Sequence, residues 1–156
     1  MAGLSNEGGV VETERTRELI AGWMEAQGSR DPGKMAALLA EDARVLWPVG
    51  APIAGFEGRD DVVDGFASGR GPKALGVVPA TMSVDPHRIV VDGSTAVVEF
   101  TLTAATESGG TYENRYAFFY QFNDDGLLAE IREYGDTLNA ARQLPNVFAH
   151  KLGEIQ

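Results

Sequence analysis

The chain has 156 residues, a formal net charge of −10 and a hydrophobic fraction of 44%. This length suits one domain with its own core, and the negative charge argues against nucleic acid or an anionic membrane as a partner. The sequence contains no cysteine, which excludes disulfides, thiolate metal sites and a cysteine nucleophile. No apolar run could span a membrane and the N-terminus lacks signal-peptide blocks, so we expect a cytoplasmic protein.

The first half of the chain carries helical patterns. Residues 1–11 are polar and rich in glycine, which predicts a disordered lead-in. Apolar residues recur at helical spacing from Thr13 to Gln27, and Asp31 with Pro32 is typical of the start of a second, short helix. The following elements are a strand at 43–47, a loop at 49–55, a third helix opening at 58–61 and ending near Gly69, and a loop at 71–79.

The second half carries strand patterns. Two short runs, 80–84 and 87–91, flank Asp85-Pro86, which predicts a bend or bulge. Long strands are predicted at 95–105 and 111–122, and a last strand at 127–134 after the Asp125-Gly126 turn. Asp136 or Thr137 would cap a short helix over 138–144. The order predicts a single α+β domain over 12–145, with about three N-terminal helices on the concave face of a strongly curved antiparallel sheet, followed by a tail at 146–156.

Glu133 is the anomaly of the last strand. Residues two apart share a face of a strand, so Glu133 lies between Ile131 and Gly135 on a largely apolar face. A carboxylate among aromatic rings loses hydration, and its pKa should rise from about 4.3 toward neutrality, where a general acid or base works best. The alternative is a glutamate that faces solvent or pairs with Arg115 or Arg132.

This order of elements, together with the segments 47–55, 58–59 and 131–134, resembles the nuclear transport factor 2-like superfamily. Within it the chain is most similar to the SnoaL-like polyketide cyclase and ketosteroid isomerase-like group, over roughly residues 13 to 145. The resemblance implies a cone-shaped sheet, a pocket between its concave face and the helices, and a homodimer through the outer sheet face. It does not specify a reaction, because this scaffold hosts isomerases, hydrolases, cyclases, dehydratases and non-catalytic binders.

Of the catalytic positions that the resemblance implies, this chain keeps an acidic residue at one, Glu133. The proton-shuttling aspartate of ketosteroid isomerases falls on Trp47, their oxyanion-hole tyrosine on Trp23 and their protonated aspartate on Phe118, so steroid isomerase chemistry is not expected. Limonene-epoxide hydrolases carry an arginine and an aspartate on the strand that matches residues 99–103, where this chain has neither. Their final-strand carboxylate matches Glu133, and SnoaL-like cyclases also rely on an acidic pocket residue.

Strand parity and the resemblance together predict the pocket wall. Glu133 and Glu99 are the candidate catalytic residues, and two neighbouring carboxylates could divide acid and base roles. The candidate substrate-binding residues, mostly aromatic or hydrogen-bonding, are Trp23, Trp47, Thr101, Thr103, Asn114, Tyr116, Phe118, Tyr120 and Ile131. Hydroxyl and amide groups among them could donate to a carbonyl or enolate oxygen, and the rings suit a flat, apolar substrate. The structural alternative is that Glu99 belongs to an ordinary sheet surface and the rings to the core.

Two function classes therefore remain open. The first is a cofactor-independent SnoaL-like enzyme that uses Glu133 on an apolar carbonyl or epoxide substrate, by isomerisation, cyclisation, dehydration or hydrolysis. The second is a non-catalytic binding module or accessory subunit for an apolar small molecule. Interaction through the outer sheet face alone would instead predict a pocket filled by Trp47, Phe118 and Tyr116. With two histidines and no acidic cluster at ligand spacing, no metal or cofactor is predicted.

Overall fold

The computed structural model describes residues 7–48, 54–145 and 147, so most of the loop predicted at 49–55 and nearly all of the tail lie outside the described residues. Helix α1 spans Glu7–Ser29 and α2 spans Pro32–Leu38. The Asp31 carboxylate caps α2 as predicted, because it accepts hydrogen bonds from the backbone N–H groups of Gly33 (2.9 Å) and Lys34 (3.1 Å). Helix α1 begins inside the predicted lead-in, since extending a formed helix adds one hydrogen bond per residue.

The third helix is also confirmed, whereas the loop predicted after it is partly helical. Helix α3 spans Arg59–Ser68 and ends at Gly69, whose φ of 66° is a left-handed conformation that favours glycine. A Cβ at this glycine would lie 2.5 Å from the Pro79 side chain. Helix α4, Arg70–Ala74, occupies the first part of the segment predicted as a loop, and a 3₁₀ turn, Pro79–Thr81, replaces the start of the strand run predicted at 80–84.

In the described ranges six strands form one sheet in the order β2-β1-β6-β5-β4-β3, so the fold is α+β as predicted. Strand β1 pairs with β6 in parallel, and the other neighbours are antiparallel. A bulge in β3 follows Pro86, so the two runs predicted around that proline form one strand. The strands are β1 Leu39–Leu46, β2 Phe56–Glu57, β3 Ser83–Asp92, β4 Thr95–Ala105, β5 Thr111–Phe122 and β6 Leu128–Gly135.

The register of the sheet decides which side chains face the helices. Phe118 of β5 lies opposite Val98 of β4 and opposite Glu133 of β6. These residues share the inner face, where the core packs against Trp23 of α1 and Val62 of α3. The predicted inward orientation of Ile131 and Glu133 is therefore confirmed, whereas a register shift near the start of β6 turns Leu128 into the core.

The predicted parity of β4 is wrong. Glu99, Thr101 and Thr103 lie opposite Ala117, Arg115 and Glu113 and belong to the outer face. The inner set of β4 consists instead of apolar residues, namely Ala96, Val98, Phe100, Leu102 and Ala104. A shift by one residue exchanges all side chains between the faces, and the more apolar set takes the buried face.

A further helix, α5, spans Thr137–Gln143 and packs against β5 at one end of the sheet. The Asp136 carboxylate accepts a hydrogen bond from the backbone N–H of Asn139 (2.9 Å), which confirms Asp136 as the cap. Ala140 packs with Tyr112 in a small second core. None of the helices in the described ranges is long and apolar enough to cross a membrane.

Candidate functional site

Glu133 lies on the inner face of the sheet, near the end of β6. It is directly opposite Phe118, and its side chain is partly buried. Its carboxylate accepts a hydrogen bond from the indole N–H of Trp47. Among the described residues Glu133 forms no ion pair, because Arg132 lies on the other face of β6 and pairs with Glu130.

Desolvation dominates the electrostatics of this carboxylate. Burial raises the pKa of Glu133 to about 7, and the hydrogen bond from Trp47 opposes the rise because it stabilises the charged form. The predicted shift toward neutrality is therefore confirmed. A carboxyl group with this pKa is present in both protonation states near neutral pH, so it can either remove or deliver a proton.

Trp47 reaches Glu133 because of the parallel pairing of β1 with β6. Leu46, the last residue of β1, lies opposite Arg132, so the next residue along each strand brings Trp47 beside Glu133. The indole is partly buried and packs edge-on against Phe56, with ring centroids 5.2 Å apart. Trp47 is thus a hydrogen-bond donor to the candidate acid. The resemblance had matched this position to a catalytic aspartate that this chain lacks.

Aromatic rings cover the inner face of β5. Tyr116, Phe118 and Tyr120 project side by side, and Tyr116 stacks on Phe100 of β4 with centroids 5.5 Å apart. Burial raises the pKa of the Tyr116 and Tyr120 hydroxyls well above the usual range, and the charge of Glu133 raises both further. Both phenols are therefore neutral hydrogen-bond donors near pH 7.

Asn114 joins this wall to α5 through a hydrogen-bonded network. Its amide Nδ2 donates to the Tyr112 hydroxyl (3.1 Å) and to the backbone carbonyl of Asp136 (3.1 Å), and its Oδ1 accepts from Asn139 Nδ2 (3.0 Å). The hydroxyls of Tyr112 and Tyr116 are 2.6 Å apart. Asn114 is 3% exposed and both of its amide hydrogens are engaged, so it holds Tyr112 and α5 in place.

The two remaining predicted side chains of the inner region lie deep in the core. Ile131 is opposite Tyr120 and is buried. Trp23 of α1 is fully buried, packs edge-on against Phe66 and leaves its indole N–H without a hydrogen-bond partner in the described part of the chain. Both residues thus belong to the core. The indole N–H of Trp23 is an unusual polar group there, because it has no partner in the described ranges.

Glu99 lies in a groove of about 500 Å³ on the outer face, together with Arg88, Arg115, Val90 and Tyr134. Glu99 lies opposite Ala117, whereas Glu133 lies opposite Phe118, so the two carboxylates are on opposite faces of the sheet. The expected approach of Glu99 to Glu133 is therefore wrong, and Glu133 stands without a second carboxylate from β4. Thr101 accompanies Glu99 on the outer face, where its hydroxyl is 2.7 Å from His87 Nε2.

Sequence reasoning assigned no role at the site to three residues of the inner region. Tyr112 shares the parity of Asn114 and could have been found from that signal. Gly135 leaves room for Tyr116, because a Cβ there would lie 2.6 Å from the tyrosine ring. Asn139 carried no such signal, since its contact depends on how α5 docks. Within the described ranges, no group of three or more acidic or histidine side chains could hold a metal ion.

The amino-acid sequence matches a known protein family. The SnoaL-like domain family matches residues 20–131. No curated protein matches the chain.

Three solved structures illustrate the similarity, which at these identities concerns the fold. A nuclear transport factor 2-like protein from Burkholderia xenovorans LB400 has a TM-score of 0.67 and 20% identity, covering 85% of this chain and 97% of its own. A candidate SnoaL-like polyketide cyclase from Jannaschia sp. CCS1 has a TM-score of 0.69 and 16% identity, covering 85% and 92%. A candidate ketosteroid isomerase from Kribbella flavida DSM 17836 has a TM-score of 0.62 and 25% identity, covering 80% of each chain. Because the family match covers most of the residues between α1 and β6, the chain belongs to the SnoaL-like domain family.

Proposed function

We propose that this protein is a SnoaL-like small-molecule enzyme in which Glu133 acts as general acid and base on an apolar carbonyl or epoxide substrate. The observation that carries the proposal is a carboxyl group on the inner aromatic wall with a pKa of about 7. Structural carboxylates on sheets are usually paired and keep a low pKa, as Glu130 does between Arg44 and Arg132.

The surroundings of Glu133 support this role. Trp47, Tyr116 and Glu133 itself are only partly buried, so accessible surface remains beside the carboxylate. The partly buried rings of Tyr116 and Trp47 offer apolar contact area to a flat substrate. A proton-transfer role also explains why an uncompensated acid is kept on this face, where an apolar residue would pack without a desolvation penalty.

The test compares two glutamine variants on a panel of apolar ketones and epoxides. Glu133→Gln keeps the shape and an acceptor for Trp47 but cannot exchange protons, so we expect turnover to be abolished while the thermal transition remains cooperative. Glu99→Gln, a carboxylate of the outer face, is the matched control and should keep turnover. Turnover by Glu133→Gln equal to that of the wild type would refute the proposal. Saturable binding without any turnover by the wild type would favour the alternative, a binding module.

We further propose that the outer sheet face joins two copies of the chain. Val90, Phe119 and Tyr134 are large apolar residues of this face that are 52%, 42% and 45% exposed. Exposed apolar side chains grouped in this way are typical of interaction surfaces. Sedimentation at micromolar concentration should give twice the chain mass of 16.7 kDa, and a monomeric mass would contradict this assembly.

A further inference from the structure

Trp47 lies just beyond the end of β1, where strand pairing no longer fixes its orientation. Strand β1 ends at Leu46, opposite Arg132, so Trp47 is outside the paired strand. Its ring contact in the described ranges is with Phe56, edge-on at an interplanar angle of 78° and with centroids 5.2 Å apart. The hydrogen bond from its indole N–H to the Glu133 carboxylate therefore depends on where the Phe56 ring lies.

Helix α3 makes room for the Phe56 ring at Gly65. A Cβ at this glycine would lie 2.3 Å from Cε2 and 2.5 Å from Cζ of the ring, so any larger residue would displace the ring. A glycine inside a helix lowers its stability, because the unfolded chain has more conformational freedom to lose. The close contact with Phe56, whose side chain is 6% exposed, is a physical reason for glycine at this position.

Arg70 of α4 lies over the Phe56 ring. Its guanidinium carbon is 4.6 Å from the ring centroid, which is within the range of a cation–π contact. Arg70 Nη2 also donates to the Asp61 carboxylate (2.6 Å), and the second oxygen of this carboxylate accepts from the backbone N–H of Glu57 (2.9 Å). Asp61 thus ties both Arg70 and the residue after Phe56 to α3. The ring is held by α3, by α4 and by its own backbone.

The Trp47 hydrogen bond opposes the effect of burial at Glu133. Burial raises the pKa of the carboxyl group, and the indole N–H lowers it. The other titratable groups that act together with Glu133 in the described ranges are the phenols of Tyr116 and Tyr120 on β5, which stay neutral near pH 7. A hydrogen bond weakens steeply as its donor angle closes, so a tilt of the indole changes the balance.

We propose that Phe56 is a positioning residue, which Gly65 and Arg70 hold in place so that its ring directs the indole N–H of Trp47 to the Glu133 carboxylate. For its consequence in catalysis this inference rests on the proposed acid–base role of Glu133, whereas the orientation itself is measured without a substrate. Phe56 acts through Trp47. With the indole misdirected, the carboxyl group keeps its proton to higher pH, so it works as a base only at higher pH.

The chain contains two tryptophans, and each packs against a different phenylalanine. Phe56 packs edge-on against Trp47, whereas Phe66 packs edge-on against Trp23 with centroids 5.6 Å apart. The variants are Phe56→Leu, which removes the ring contact with Trp47, and Gly65→Ala, which keeps every aromatic side chain but displaces the ring. The control is Phe66→Leu, which removes a ring from the same core cluster at the other tryptophan.

Two readouts report on the folded proteins. ¹H–¹⁵N NMR resolves the two indole N–H groups, assigned with Trp47→Phe, and ¹³C NMR gives the pKa of Glu133. In Phe56→Leu and Gly65→Ala we expect the Trp47 indole proton to move upfield, as for an unbonded indole, and the pKa of Glu133 to rise by about one pKa unit. Phe66→Leu should move the Trp23 signal and leave the Trp47 signal and the Glu133 pKa at their wild-type values.

The sign of the change separates positioning from a general loosening of the core. Water that enters a loosened core would lower the pKa of Glu133, because it relieves desolvation. A lowered or unchanged pKa in Phe56→Leu would overturn this inference, and so would an equal rise in Phe66→Leu. If Phe56→Leu does not fold, Gly65→Ala decides by the same criteria.

Turnover of the ketone and epoxide panel separates this inference from the proposed function. The pH at which turnover is half-maximal should rise in Phe56→Leu together with the pKa of Glu133. A pKa that rises while the pH profile of turnover stays unchanged would overturn the proposed role of Glu133 and leave the positioning by Phe56 standing.

Discussion

The pH dependence of folding stability offers a test of Glu133 that needs no substrate. Burial raises the pKa of Glu133 from 4.5 to about 7 in the folded protein. Below pH 4.5 the residue is protonated in both the folded and the unfolded state. As the pH rises from 4.5 to 7, the unfolded chain loses this proton first, so the contribution of Glu133 to the free energy of unfolding falls. Above pH 7 the loss is complete and constant.

The size of the loss follows from the shift. A pKa unit corresponds to 1.36 kcal/mol, so a shift from 4.5 to about 7 amounts to about 3 kcal/mol. Glu133→Gln lacks the titrating group and keeps an oxygen that can accept the hydrogen bond from Trp47. We therefore expect the variant to gain about 3 kcal/mol relative to the wild type between pH 4.5 and pH 8.

Urea denaturation of both proteins at a series of pH values measures this difference, and the titration of all other groups cancels in the comparison. Glu130→Gln is the matched control on the same strand. Hydrogen bonds and charge from Arg132 and Arg44 lower the pKa of Glu130, so its contribution is present at neutral pH and disappears as the pH falls through the lowered pKa. A stability difference for Glu133→Gln that does not change between pH 4.5 and pH 8 would refute the burial argument.

Two further substitutions test the surroundings of the site. Trp47→Phe removes the N–H that stabilises the carboxylate, so the pKa of Glu133 measured by ¹³C NMR should rise above 7, and an unchanged or lower pKa would contradict this role. Gly135→Ala places a Cβ 2.6 Å from the Tyr116 ring and should lower the free energy of unfolding in urea by about 1–3 kcal/mol. Gly22→Ala in α1, where a Cβ meets nothing within 4 Å, is the control and should stabilise by about 0.5–1 kcal/mol.

The sequence predicted those elements whose signals are local. The bounds of β4 and β5 agree with the sequence pattern to the residue, because turn residues stand at both ends of each run. The cap of α2 was visible in Asp31-Pro32, since side chain and backbone donors are neighbours in sequence. Glu133 was found because one charge interrupts an apolar alternation, a signal that needs no tertiary information.

The inner wall was predicted less well where the decision depended on the whole sheet. Both faces of β4 carry β-branched residues, so its alternation is ambiguous, and Glu99 was assigned to the wrong face. The buried face was decided by Phe100, which packs against Tyr116 and Phe118 of the neighbouring strand. A cross-strand contact of this kind depends on register and cannot be read from one strand alone.

The indole N–H groups of Trp23 and Trp47 were overlooked for a different reason. Substitution of a tyrosine or aspartate by tryptophan looks like the loss of a polar group, but an indole keeps one N–H donor. The structure shows both N–H groups on the inner side of the fold, one bonded to Glu133 and one without a partner in the described ranges. The hydrogen-bonding chemistry predicted for the site therefore left out the two indole N–H groups.

The inner wall combines several donors with a single ionisable acceptor, and this imbalance has a physical consequence. Trp23, Trp47 and the phenols of β5 can all stabilise negative charge, whereas Glu133 is the group that can take up a proton. If Glu133 is charged and the site is empty, Trp47 stabilises it. Once Glu133 is protonated, it carries no charge for these donors to stabilise. Each desolvated polar group lowers stability, so packing alone does not explain why this wall contains both the Glu133 carboxylate and a Trp23 N–H without a partner in the described ranges.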